Sequence, residues 1–233
     1  MRWDEIDKAV TLVDIRRILL MKMDDSWFMN WYHNQATPEE KQLLEKVYSF
    51  GEMFEDMLFQ QGTSTYELIQ CKSKAMNSNE WIDDEVSLPE VLDYFSYAFF
   101  HFKVDKLEDS DGVFNHIEQS ITISTEKLGN DSVILHELIH LHEFVINELP
   151  IYFHDMVYWA LYKDLRTKIS ELDEIITGHA HLLTGSSLYS AGGLHDILFL
   201  LKSFDLDIRM GYSLGTVFAY GREDDFKGYS YLQ

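Results

Sequence analysis

Apolar residues recur at intervals of three and four positions over most of the chain, and this periodicity predicts a protein built mainly from helices. The capping box Thr37–Glu40, with proline at the first helical position, predicts a helix that runs to about Gln61 and stops at Gly62. A second capping box, Ser87–Glu90, predicts an aromatic-rich helix through Val104. Further helices are predicted over residues 3–23, 63–76, 155–183 (with one break) and 194–204.

Two segments have the composition of β-strands. The turn signal Asp109–Gly112 precedes a strand predicted over Val113–Ser124, and a second strand is predicted over Thr216–Tyr220. This balance of elements predicts a helix-dominated α+β fold. We expect a single domain over residues 1–233, with a helical N-terminal subregion (1–110) and a second subregion (111–233) that begins near the first strand.

The segment that follows the first strand carries the pattern HExxH, as His136-Glu137-Leu138-Ile139-His140. On a helix, two histidines four positions apart lie on one face, one turn from each other. Their ring nitrogens can bind one zinc ion there. Glu137 lies one position round the helix from His136, where a carboxylate can accept a proton from a zinc-activated water.

This helix is predicted to be buried. Asn130 or Asp131 can cap its start and Pro150 closes its end. Its remaining positions are apolar nearly all round, so two histidines and a glutamate inside it are costly unless a partner satisfies them. A metal ion provides that partner. His142 points to another side of the helix and is expected to have a supporting or structural role.

A catalytic zinc site needs a third protein ligand. No H-x-x-G-x-x-H extension follows His140, so a third histidine of that type is disfavoured. A carboxylate from a following helix is the usual alternative, and the helical wheel of that segment leaves the choice open. The candidates downstream are His154, Glu171, Asp173, Glu174, His179 and His181.

The strand, the HELIH helix and the segment Leu172–Leu183 together resemble the gluzincin-type zinc metallopeptidases, over about residues 115–185. Two branches are similar: short prokaryotic peptidases that cleave phage and mobile-element repressors, and clostridial neurotoxin light chains with related effector proteases. The resemblance implies a zincin-like fold with Glu174 as the third zinc ligand, 34 positions after His140 (174 − 140). It also implies that Arg209 and Tyr212, an Arg-x-x-Tyr pair, face the scissile carbonyl; Tyr220 and His195 are the substitutes for that role.

Composition and net charge argue against some classes of partner and indicate where the protein is located. The formal net charge of −21 argues against nucleic acid and anionic membranes as partners. Cys71 is the only cysteine, so no intrachain disulfide can form. No secretory signal and no run of 18 or more apolar residues is visible, which predicts a cytoplasmic protein or one exported by a signal-less route.

These observations predict a zinc metallopeptidase that hydrolyses peptide bonds of a protein substrate. His136, His140 and Glu174 are expected to bind Zn²⁺, with Glu137 as the general base. Two alternatives stay open: a non-catalytic binding module with a zincin fold, and a metallohydrolase that acts on a non-peptide amide. An intact Glu137 favours an enzyme, because a purely structural zinc site has no use for it.

Overall fold

The computed structural model describes residues 31–58, 101–118, 120–148, 151–183, 195–218 and 223–232. The helices are α1 (Pro38–Leu58), α2 (Asp131–Glu148), α3 (Ile151–Lys168), α4 (Leu172–Gly178) and α5 (Ile197–Met210), and the strands are β1 (His101–Asp105), β2 (Gly112–Asn115) and β3 (Ser120–Ser124). Short 3-10 turns occur at Thr125–Lys127, Ala180–Leu182 and Glu223–Phe226. The helix-dominated α+β class predicted from the sequence is confirmed for these residues.

The three described strands form one mixed sheet in the order β1-β3-β2. β1 pairs with β3 in parallel and β2 pairs with β3 in antiparallel, so that Phe102 and Phe114 both lie opposite Ile121. β2 is therefore an edge strand, and it packs against α2. This arrangement places β2, one of the two edges of the sheet formed by the described strands, beside the HExxH helix.

The single strand predicted over Val113–Ser124 is wrong, because the chain turns in its middle and returns as β3. The side-chain oxygen of Asn115 accepts hydrogen bonds from the backbone N–H groups of Ile117 (3.0 Å) and Glu118 (3.1 Å). Such a bond closes an Asx turn, which competes with a continuous strand. Ile117 counts as apolar in the sequence pattern, yet it is 82% exposed at the turn.

The predicted helix that ends at Val104 is wrong over its last residues, which form β1. Phe102 is buried while its neighbours His101 and Lys103 are exposed, which is the two-residue alternation of a strand. The predicted start of that helix, the helices over 3–23 and 63–76, and the end expected near Gln61 lie outside the described residues.

The first capping box is confirmed. The backbone N–H of Thr37 donates to the Glu40 carboxylate (2.8 Å), and the N–H of Glu40 donates to Oγ1 of Thr37 (3.1 Å). Each side chain thus satisfies an N–H group that the first turn of a helix leaves without a partner.

Two helices pack against each other at the centre of the molecule. Every residue of α2 from Ser132 to Glu143 is buried, and so is every residue of α5 from Leu198 to Asp207. The break predicted within 155–183 is the gap between α3 and α4, and the helix predicted over 194–204 is α5, which starts later and extends to Met210. No helix in the described part of the chain has both the length and the apolar character needed to cross a membrane.

The strand predicted over Thr216–Tyr220 is wrong at 216–218, where the chain forms turns, and 219–220 lie outside the described residues. The carboxylate of Asp207 accepts hydrogen bonds from the N–H groups of Gly215 (2.7 Å) and Val217 (3.0 Å). Gly215 has φ = +88°, a conformation that glycine adopts without strain. The N–H groups of Gly215 and Val217 therefore donate to a buried carboxylate, where a strand would have them donate to a neighbouring strand.

Candidate metal centre

The start of α2 is fixed on two sides. The side-chain oxygen of Asn130 accepts a hydrogen bond from the N–H of Ser132 (3.1 Å), which confirms Asn130 as one of the two capping residues considered. The carboxylate of Asp131 forms an ion pair with Lys46 of α1. Both contacts lie within two turns of His136, so they fix the part of α2 that carries the two histidines.

Three imidazole rings converge beside α2: His136 and His140 from the helix, and His195 from the segment two residues before α5. One ring nitrogen of each lies within 4.8 Å of the other two, and Nε2 of His136 is 3.0 Å from Nε2 of His195. Nitrogens that bind one tetrahedral zinc at about 2.0–2.1 Å lie roughly 3.3 Å apart. The His136–His195 distance is already slightly below this value, and shortening the other two distances by up to roughly 1.5 Å would give a site with three nitrogen ligands.

The ring of His136 is oriented by a backbone carbonyl. Its Nδ1 is 2.9 Å from the carbonyl oxygen of Val217, in the turn that Asp207 holds. Donation of the Nδ1–H to this oxygen leaves Nε2 as the unprotonated atom that faces His195. Metal-binding histidines in proteins are held in the same way.

His140 has a buried ring nitrogen, Nδ1, that makes no hydrogen bond. Burial of a polar atom without a partner is costly, and a metal ion bound to Nδ1 itself would offset that cost. This observation, together with the convergence of the three rings, fits a metal ion.

Aromatic side chains surround the three histidines. Phe199 of α5 is fully buried, and its ring centroid lies 4.8 Å from that of His136, 4.6 Å from that of His140 and 4.6 Å from that of His195. Phe114 of β2 stacks on His140 with a centroid distance of 6.4 Å. An apolar surround of this kind excludes water and strengthens electrostatic interactions inside it. His195 is half-buried, so of the three histidines it is the one that solvent reaches most.

The surroundings keep all three histidines neutral. Burial, and secondarily the neighbouring His195, lower the pKa of His136 to about 3, although its backbone hydrogen bonds oppose this shift. Burial, and after it the electrostatic effect of His136, His195 and Lys202 on a protonated ring, lower the pKa of His140 to about 2. Burial also lowers the pKa of His195. Since metals bind the neutral imidazole, the group is in the binding form at neutral pH.

Glu137 lies beside the histidines, against the edge strand β2. Its carboxylate accepts a hydrogen bond from the backbone N–H of Phe114. Gly112 leaves the space that the side chain occupies: a Cβ atom there would be 2.8 Å from Cγ and 2.9 Å from Oε1 of Glu137. Burial raises the pKa of Glu137 to about 8, against the opposing effect of the Phe114 hydrogen bond. A cation among the histidines would lower that pKa and favour the carboxylate.

Glu174, predicted as the third ligand, does not join this group. Among the described residues, one group of side chains is close enough together to hold a metal ion, and it consists of the three histidines. Helix α4 turns Leu172 and Ile175 inward, which leaves Glu174 exposed on the outer side. In the sequence, a third histidine is disfavoured because no H-x-x-G-x-x-H extension follows His140. A histidine from a distant segment, such as His195, can join the group without that extension.

The other candidates for the third ligand also lie elsewhere or have other contacts. Glu171 is exposed, and Asp173 accepts a hydrogen bond from Tyr162. Nδ1 and Nε2 of His179 lie 2.9 Å and 2.8 Å from the carbonyl oxygens of Ile175 and Asp225. His181 is exposed, and the side chain of His154 lies outside the described part.

Arg209 and Tyr212, predicted to face a substrate carbonyl, lie at the C-terminal end of α5. Nε of Arg209 donates to the carboxylate of Asp205 (2.6 Å). Tyr212 is half-buried, and burial, together with the carboxylates of Asp131 and Asp207, raises its pKa. Their role toward a substrate stays a prediction.

Comparison of the chain with protein-family models, with curated proteins and with solved structures finds no significant match. The resemblance to gluzincins therefore rests on the motifs alone and stays a prediction. The local geometry of α2, β2 and the His195 segment is what can support a function.

Proposed function

We propose that this protein is a zinc-dependent hydrolase that cleaves peptide bonds of a protein substrate. The observation that carries this proposal is the convergence of His136, His140 and His195 beside a buried glutamate. Three protein nitrogens and one open side are typical of catalytic zinc sites, whereas structural sites use four protein ligands. His195, which is half-buried, is the ligand through which solvent would reach such a site.

A zinc ion held by the three imidazoles would supply a Lewis acid that polarises a carbonyl group and lowers the pKa of water. The chain's own contribution is Glu137, which accepts a proton from the attacking water and returns it to the amine that leaves. The N–H of Phe114 holds the carboxylate, and Gly112 gives it room. The phenylalanine rings exclude other water molecules from the site.

A zinc site that only stabilises the fold would use the same three histidines but would not depend on Glu137. The test is the Glu137→Gln variant, which preserves shape but cannot accept the proton. We expect it to fold, to keep its zinc and to lose proteolysis by a factor on the order of 10² or more. Glu174→Gln, which changes an exposed carboxylate, is the matched control and should behave as the parent.

Proteolysis is measured as the new protein N-termini that each purified, zinc-loaded protein produces in a cell lysate. N-termini made by the parent and the control but not by Glu137→Gln support the proposal. The same set with all three proteins, or none with any of them, would favour the non-catalytic site. Cleavage of small non-peptide amides without any new N-termini would move the proposal to a different class of substrate.

A further inference from the structure

The two central helices face each other through matching sets of residues. On α2 these are His136, His140 and Glu143, and on the α5 side they are His195, Phe199 and Lys202. Glu143 follows His136 by seven positions (143 − 136), and Lys202 follows His195 by seven (202 − 195). Seven residues of α-helix advance about 10.5 Å, so the set on α2 covers two turns.

The contacts pair these residues in the same order along both segments. His136 meets His195 at 3.0 Å between ring nitrogens, and Phe199 packs on His136 and His140. At the far end, Nζ of Lys202 is 3.4 Å from Oε1 of Glu143. The metal centre and the ion pair are therefore opposite ends of one helix–helix contact.

The Glu143–Lys202 pair is buried, with 6% of the glutamate side chain and none of the lysine side chain exposed. Burial lowers the pKa of Lys202 and raises the pKa of Glu143. A buried ion pair contributes little net stability, because removal of both charges from water is costly. Its distinctive property is positional: a slide of α5 along α2 would lengthen the distance between Nζ and the Glu143 carboxylate and leave both buried groups poorly paired.

The connection from this pair to the third histidine is short. Lys202 lies on the second turn of α5, and Asp196 caps the start of that helix by accepting a hydrogen bond from the N–H of Phe199 (2.9 Å). His195 directly precedes the cap. Any slide of α5 along α2 would thus move His195 relative to His136 and His140.

We propose that Glu143 and Lys202 are positioning residues for the metal centre: their buried pair fixes the axial register of α5 on α2 and so places His195 beside His136 and His140. The inference rests on the metal site of the proposed function but not on its catalysis. It predicts that loss of the pair weakens metal binding even where folding stability is retained. Outer supports of metal ligands typically contribute about 10–100-fold in affinity.

The deciding variant is the double substitution Glu143→Met/Lys202→Met, which replaces the pair with apolar side chains of similar length. Such replacements are often neutral or stabilising for the fold. We therefore expect the metal-free double variant to unfold at a urea concentration no lower than the parent. Its zinc affinity, measured by competition with a chelator, should fall by at least about 10-fold, and the visible spectrum of its cobalt(II) form should change.

Two further variants separate positioning from general packing. Leu206→Ala removes a fully buried side chain elsewhere on α5, and it should lower stability while zinc affinity stays within about 3-fold of the parent. Glu143→Gln keeps an oxygen for Lys202 to donate to, and it should retain most of the affinity that Glu143→Met loses.

Parental zinc affinity and an unchanged cobalt spectrum in the double variant overturn the inference, as does equal affinity in Glu143→Gln and Glu143→Met. A parent that binds no zinc refutes the metal site itself, and the positioning role with it. A parent that binds zinc but cleaves nothing refutes only the proposed peptidase activity.

Discussion

The contact between Gly112 and Glu137 gives a prediction whose size follows from the structure. In the Gly112→Ala variant the new Cβ atom would lie 2.8 Å from Cγ and 2.9 Å from Oε1 of Glu137. Non-bonded carbon atoms reach their optimal distance at about 3.5–4.0 Å, so the Glu137 side chain must move by at least roughly 0.7 Å. With only 3% of Glu137 exposed, the space for this movement is small.

Displacement of a general base is costly to catalysis, because a misplacement of about 1 Å can lower the rate by about 100-fold. We therefore expect Gly112→Ala to lower kcat/KM by about 10- to 100-fold while zinc content stays at the parental level. The control is Gly129→Ala, where an added Cβ meets nothing within 4 Å and activity should not change. The substrate for the measurement is any peptide that the lysate experiment identifies.

The same contact can be tested without a substrate. Overpacking in a buried site typically costs about 1–3 kcal/mol of unfolding free energy. If the clash is with Glu137, Gly112→Ala should show that cost in the parent and lose most of it in a Glu137→Ala background. Equal destabilisation in both backgrounds, measured by urea unfolding, would refute the reasoning, as would parental activity in the single variant.

Two aspartates of α5 give further predictions. Asp205 has a buried oxygen without a hydrogen-bond partner, and burial raises its pKa despite the pairing with Arg209. Its contribution to stability is therefore present below the unfolded-state pKa and lost as pH rises through the folded-state pKa. The unfolding free energy of Asp205→Asn should gain on that of the parent as pH rises above the unfolded-state pKa of about 3.9; a difference that does not change with pH contradicts this. Asp207→Asn should weaken zinc binding by about 10-fold, because the carboxylate that holds the Val217 turn, and with it the carbonyl that orients His136, is lost. Equal zinc affinity of variant and parent in chelator competition would rule this out.

The sequence predicted those parts of the site that depend on neighbours along the chain. The i, i+4 spacing of His136 and His140, the helix start at Asn130 or Asp131 and the apolar periodicity of α2 are all local features. The capping box at Thr37–Glu40 was predictable for the same reason. Local hydrogen bonds and local burial were sufficient to place these elements.

The remaining parts depend on contacts between distant segments. The turn at Asn115 was missed because its apolar neighbours match a strand pattern, although the Asn itself is a common turn residue. The fit of Gly112 over Glu137 arises only when β2 packs on α2. The pattern of residues along a single segment cannot indicate a contact between two segments that are distant in the sequence.

The largest difference between expectation and structure concerns the third ligand, and it can be tested directly. The family resemblance implies Glu174, whereas the structure brings His195 to the site from 55 positions beyond His140 (195 − 140) and leaves Glu174 exposed. We expect His195→Ala to lower zinc affinity by more than about 100-fold, since outer supports alone contribute about 10–100-fold.

Glu174→Ala should keep the parental zinc affinity in the same chelator competition. So should His181→Ala, the matched control for His195→Ala, because it removes an exposed imidazole. A histidine ligand also predicts that cobalt(II) bound to the parent is held by three nitrogens, and His195→Ala should alter its spectrum while Glu174→Ala does not. The reverse pattern, with affinity lost in Glu174→Ala and retained in His195→Ala, would restore the glutamate ligand. It would also require α4 to turn its outer side toward α2, which would bury a carboxylate that the present packing of Leu172 and Ile175 keeps exposed.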